Sequence, residues 1–162
     1  MWSNATRRLI ALAASALAWS WSASSDETGF RLLQIDGKTV SWRSRQSGDP
    51  LVLSVALLRD RLDFSGIGRC RRLQPIDRML DVAGIEAETF NKAALAALGR
   101  WQAAAAVSFV LVSDPSHADI VIGSEAGVSD PAYTSLALAP PTDGNSIDIE
   151  RAAICLNPGV GW

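Results

Sequence analysis

The sequence predicts an α/β domain, a mixed sheet with a long helix crossing one face and a β-hairpin in front. Three observations carry this. Leu51-Val52-Leu53-Ser54-Val55-Ala56-Leu57 is an almost unbroken apolar run bounded by Asp49-Pro50, the pattern of a strand buried on both faces. Over residues 87–105 apolar side chains recur at helical spacing with no proline. Further strand-like runs then follow, separated by turn residues, so strands flank the helix on both sides along the chain.

Taken in order, the chain opens on an export signal over residues 1–24. Arg7 and Arg8 give a positive start, and the Ala/Leu-rich run from Leu9 to Trp19 is shorter than the ~20 apolar residues that span a bilayer. Small residues follow, with cleavage expected after Ala18, Ser22 or Ser24; an ordinary N-terminal helix or an uncleaved anchor are the alternatives. Residues 25–162 read as a single subdomain, secreted or periplasmic. Phe30-Arg31-Leu32-Leu33-Gln34-Ile35 and Lys38-Thr39-Val40-Ser41-Trp42-Arg43 flank Asp36-Gly37, a strong two-residue hairpin signal.

Residues 59–72 read as irregular and basic. A short helix should follow, with Pro75 in its first turn, Gly84 past its end, and Ile76, Met79, Leu80 and Ala83 on one side. On the longer helix, Phe90, Ala94, Ala97, Leu98 and Trp101 share one stripe, and Gly99 costs about 1 kcal/mol relative to Ala. Val107-Ser108-Phe109-Val110-Leu111-Val112, Asp119-Ile120-Val121-Ile122 and Tyr133-Thr134-Ser135-Leu136-Ala137-Leu138-Ala139 read as strands, the last stopped by Pro140-Pro141. Asp143-Gly144-Asn145 is a turn, and Ala152-Ala153-Ile154-Cys155-Leu156 a last short strand.

Composition narrows the function classes. With 48% hydrophobic and 20% charged residues the chain buries an ordinary core, and a net charge of −2 leaves no field for nucleic acid. No stable membrane anchor and a monomer are expected. Cys70 and Cys155 are the only cysteines; an oxidising compartment favours joining them, and two buried free thiols are the alternative. No H-E-x-x-H, G-x-S-x-G or P-loop occurs.

Zinc catalysis needs about three protein ligands, and His117 is the only histidine; it reads as a surface loop residue. The carboxylate pairs Asp60/Asp63 and Asp148/Glu150 read as solvated surface. Asp114, Asp119, Asp143 and Asp148 could offer oxygens to calcium, but their spacing matches no calcium loop.

Several segments nonetheless fall in a recognisable order. Leu98-Gly99-Arg100-Trp101 leading to Val107-Ser108-Phe109, then Ala118-Asp119-Ile120-Val121-Ile122-Gly123, Leu136-Ala137-Leu138-Ala139-Pro140, and Ile154-Cys155-Leu156-Asn157-Pro158 with Trp162 resemble the matrixins. These are metzincin-type zinc metallopeptidases, and the likeness is to bacterial members over about residues 33–162. It implies a twisted sheet with an antiparallel edge strand above a cleft, a Cys70–Cys155 bridge, and a peptide or protein substrate pairing with that edge by strand addition. Thr134, Ser135, Leu136 and Ala137 would line this upper rim.

The departures matter as much. The family's H-E-x-x-H-x-x-G-x-x-H helix would begin shortly after Trp162, so the resemblance implies an N-terminal part truncated before the active-site helix and inactive as written. No cofactor is expected on these residues; zinc, with calcium as a second candidate, belongs to the complete family domain. Leu136 stands where many animal members place a histidine for a structural zinc. Residues 59–84 resemble bacterial members. Two other readings remain open: a non-catalytic exported peptide- or protein-binding module using the edge strand near 133–139, and a small exported enzyme of unrelated chemistry.

Overall fold

The computed structural model describes residues 33–42, 50–126, 130–140 and 146–162. The chain divides into units Met1–Arg31 and Leu32–Trp162, and all described residues belong to the second. The export-signal reading, Phe30 to Leu32 of the first expected strand, and the turns at 47–49 and 143–145 lie outside the described residues.

The hairpin forms as expected. Strands β1 (Gln34–Ile35) and β2 (Lys38–Trp42) pair antiparallel, and Asp36 and Gly37 both take positive φ, 52° and 74°, the signature of a type I′ turn. Strand β3 (Leu51–Leu57) follows. The irregular stretch after it holds two short strands, β4 (Leu62–Asp63) and β5 (Arg72–Leu73), paired antiparallel as a separate small sheet. Strands this short leave no alternation to read in a sequence.

Helix α1 (Ile76–Ala83) starts after Pro75 and stops at Gly84, whose left-handed conformation returns its N–H to Asp81 and Leu80 carbonyls. Its Ile76, Met79 and Leu80 are buried against Ala83, Ile85, Phe90 and Leu156. Helix α2 (Ala87–Ala104) follows, then strands β6 (Val107–Leu111), β7 (Ile120–Ser124), β8 (Ala132–Leu138) and β9 (Ser146–Leu156). No helix among the described residues is long and apolar enough to cross a membrane.

Strand β9 is longer than the sequence reading. Ser146-Ile147-Asp148-Ile149-Glu150 alternates polar and apolar side chains and belongs to the strand, so Asp148 and Glu150 sit in a sheet rather than in a loop. A register shift between Ala137 and Leu138, opposite Arg151 and Ile149, leaves Glu150 unopposed and exposed.

The seven-stranded sheet runs β1-β2-β9-β7-β3-β6, with β8 beside β9. Strands β2, β7, β3 and β6 join it through parallel pairings, whereas β8 runs antiparallel to β9. Ile154 pairs with Ile122 of β7 and with Thr134 of β8, so β8 lies on the side of β9 away from β7. Fold class is therefore α/β, a mixed and mostly parallel sheet with two helices.

The two faces of the sheet are covered differently. On one, Ala56, Val121, Ala153 and Cys155 meet Leu58, Phe64, Cys70 and Leu73 from the stretch between β3 and α1, all 5% exposed or less. The stretch that looked irregular thus carries a tight part of the core, because Leu58, Phe64, Cys70 and Leu73 point inward, whereas Ile67 stays 50% exposed. On the other face lies α2, which buries no residue fully. Phe90, Ala94 and Leu98 are half-buried, as the stripe predicted, but Ala97 is exposed and Trp101 is 58% exposed. Gaps of about 390 and 340 Å³ remain between helix and sheet, the first beside Ala94 and the second lined by Trp101.

Candidate functional site

The rim singled out in the sequence is strand β8, and its backbone directions follow from one contact. Leu136 donates its N–H to the Ile67 carbonyl (3.0 Å) and accepts the Ile67 N–H at its own (2.8 Å), an antiparallel bridge on the side away from β9. Strand alternation therefore also turns the backbone polar groups of Thr134 toward that outer edge, while Ser135 and Ala137 face β9.

The four residues consequently play different parts. Thr134 is exposed. Ser135 is buried, 1% exposed, and its Oγ accepts the Cys70 N–H at 2.9 Å. Leu136 is engaged by Ile67, and Ala137 packs half-buried against the core cluster. Of the four, Thr134 is the exposed one, and its backbone groups turn to the outer edge.

Ile67 was not foreseen as part of the site. It sits in Ser65-Gly66-Ile67-Gly68-Arg69, a strap drawn across the edge, with its course set by close approach. A Cβ on Gly66 would lie 2.6 Å from the Leu136 carbonyl oxygen, and one on Gly68, at φ +118°, 2.3 Å from Ser135 Oγ. A glycine on each side of a lone apolar residue in a polar run was the available signal. At the end of the strap, Arg69 lies over the Tyr133 ring at 5.5 Å and donates to its hydroxyl (3.2 Å).

Cys70 and Cys155 are joined, with Cα atoms 5.8 Å apart at a sequence separation of 85, and both are fully buried. The two cysteines are thus placed as a bridge would place them. Glu125 lies beside it: Oε2 accepts the N–H groups of Arg71 (2.8 Å) and Arg72 (3.3 Å). Gln74 and Ser124 exchange both backbone bonds, and Ser124 Oγ donates to the Pro75 carbonyl (3.0 Å). The stretch after the strap is thereby stitched to the end of β7.

Zinc of the family type does not fit these residues. His117 is exposed, bonded through Nδ1 to Asp114 Oδ2 at 2.7 Å, and no second histidine exists to join it. Among the described residues, only Cys70, Glu125 and Cys155 bring three metal-capable groups together, within 4.8 Å, and the two sulfurs are already bonded to each other.

Among the described residues the calcium candidates form no cluster of three ligand groups, although Asp119 and Asp148 line one shallow pocket. Asp119 Oδ2 instead accepts from Ser54 N–H (2.7 Å) and Oγ–H (2.6 Å), fixing the start of β7 to β3. Asp114 is taken up by its own turn, Asp143 lies outside the described residues, and Asp148 is in β9. Asp60 and Asp63 are both exposed.

The His117 bond, followed by the Ser116 N–H, holds the Asp114 carboxyl below its ordinary 3.8. A carboxylate depressed in this way stabilises the fold above its unfolded pKa, and that contribution is lost as pH falls through the folded value. An NMR titration should place the Asp114 midpoint below 3.8, and His117→Ala should move it back toward that value. An unchanged midpoint in the variant would reassign the cause to the turn.

The C-terminal turn closes on itself. Asn157 is buried; it donates to the Pro131 carbonyl, its Oδ1 accepts the Gly159 N–H, and the Trp162 indole donates to its carbonyl. Set against models of known families, characterised proteins and solved structures, the chain matches none.

Proposed function

We propose that this domain is the peptide-cradling part of an exported, matrixin-type zinc endopeptidase, with β8 as the rim along which an extended substrate lies. One observation carries the reading: an otherwise parallel array around β9 ends in a single antiparallel strand, β8, with outward-turned backbone groups at Thr134. Such an edge recognises a peptide through main-chain hydrogen bonds, which give affinity with little regard to sequence. The order of the apolar segments and the Cys70–Cys155 bridge support the same assignment.

The domain's own part would be to bind and orient. Among the described residues the one cluster of three metal-capable groups has its two sulfurs bonded to each other, so in this reading these residues would not hold the zinc that would polarise the scissile carbonyl and activate water. A non-catalytic exported module would use the same edge. An H-E-x-x-H-encoding stretch downstream of the Trp162 codon favours the peptidase, and its absence favours the module.

Peptide engagement is tested by amide shift mapping with a short, end-blocked peptide of alternating valine and threonine. Mapping is done with the Cys70–Cys155 bond closed and with it reduced. Shifts centred on residues 132–138 are expected in at least one state. No shift in either state removes the rim from the reading, and cleavage of the peptide by the purified chain with added zinc would overturn the division of labour.

A further inference from the structure

The outer edge of β8 is closed by the protein's own chain. Ile67 makes both backbone bonds that an incoming peptide would make at Leu136, and Gly66 and Gly68 admit the strap to within backbone contact. Little apolar burial holds Ile67 in place, since it remains 50% exposed. Its position depends on its anchors.

On one side Phe64 is sunk in the core at 5% exposure, with Arg151 stacked over its ring at 5.8 Å. On the other, Cys70 is bonded to Cys155 of β9 and gives its N–H to Ser135. With the bond open, this end of the strap keeps the Cys70 N–H bond to Ser135, the Phe64–Arg71 backbone bond and the Glu125 bonds to Arg71 and Arg72, and loses its one covalent tie to β9. The strap is then held at that end by hydrogen bonds and packing alone.

We infer that residues 65–69 are an intramolecular occupant of the β8 edge, latched by the Cys70–Cys155 bond and released when it is reduced. This rests on the reading of β8 as a peptide rim. An external dithiol supplies two electrons and two protons; the Cys70–Cys155 bond breaks to two thiols while the dithiol closes to its own disulfide. Ile67 then leaves Leu136, and the edge from Thr134 onward accepts a strand. The oxidised domain is closed and the reduced domain is open.

Amide exchange in the full chain, before and after dithiothreitol, tests the latch without any peptide. Protection of the Leu136 amide should fall at least about tenfold on reduction, while the Val121 amide in β7 changes by less than about twofold. Equal Leu136 protection in both states, with two thiols titrating in the reduced sample, overturns the latch.

Gly68→Val gives an independent arm, because its Cβ would clash with Ser135 while the bond stays intact. Leu136 should lose protection in this oxidised variant, and full protection there also overturns the latch. This arm decides the case if reduction unfolds the chain and Val121 loses protection too. The alternating valine/threonine peptide should bind the reduced chain or the variant at least about tenfold more tightly than the oxidised parent. An opened edge that binds no peptide leaves the latch standing and overturns the peptide-rim reading.

Discussion

Replacing Cys70 and Cys155 together by alanine is expected to lower the unfolding free energy by about 4.5 kcal/mol at 25 °C. The bond closes a loop of 85 residues, and loop-closure entropy of that length supplies the estimate. Alanine is chosen over serine because both positions are fully buried, where a hydroxyl without a partner adds its own cost. The loss should appear in urea unfolding as a lower midpoint, with the slope increased by the less constrained unfolded chain. A loss under about 1 kcal/mol would show that native strain or residual unfolded structure cancels the chain entropy.

Leu58→Ala comes second, at about 3 kcal/mol within the usual range of about 2–5. Leu58 is 1% exposed, on the face covered by the stretch between β3 and α1. Its N–H donates to the Ile122 carbonyl and its own carbonyl accepts the Ile76 N–H, so the backbone around it is held and closes poorly on a cavity. Its side chain also lies under Gly123, where a Cβ would come within 3.1 Å of Leu58 Cδ2. Leu95→Ala is the matched control: Leu95 is 51% exposed on α2, and its loss should stay below about 1 kcal/mol. Equal losses at the two sites would mean that α2 is seated as firmly as the opposite layer.

Much of the fold was legible where one local signal decided the outcome. Asp36-Gly37 specified the hairpin turn, Pro75 and Gly84 bracketed α1, and the Leu51–Leu57 run marked a strand inside the sheet, although Val52 is 54% exposed where burial on both faces was expected. What escaped was set by partners distant in sequence. Glu150 reads as a loop acid until the register shift against β8 accounts for it. The strap at Ile67 exists only because Leu136 and Ser135, far along the chain, receive it. Ala97 and Trp101 fit a helical stripe, yet that periodicity says nothing of how closely an alanine-rich helix will settle on its sheet.

The candidate site divides in the same way. The strand was readable from its apolar run and its Pro-Pro stop and its edge position was implied by the resemblance alone, whereas the inward direction of Ser135 depends on pairing parity with Ala153 in β9. Asp119 drew notice as a possible metal ligand, but two short bonds from Ser54 use it as a clip between strands.

The loose seating of α2 also decides what a spectroscopist would see. Trp42 and Trp101 both line the gap beneath that helix, and no described tryptophan belongs to the core cluster on the opposite face. Indole emission from these two residues therefore reports the separation of helix from sheet and is blind to the disulfide-pinned layer. Far-ultraviolet dichroism registers both layers at once. In this architecture the two signals need not melt together, and a single-probe midpoint would describe one layer of the molecule rather than the whole.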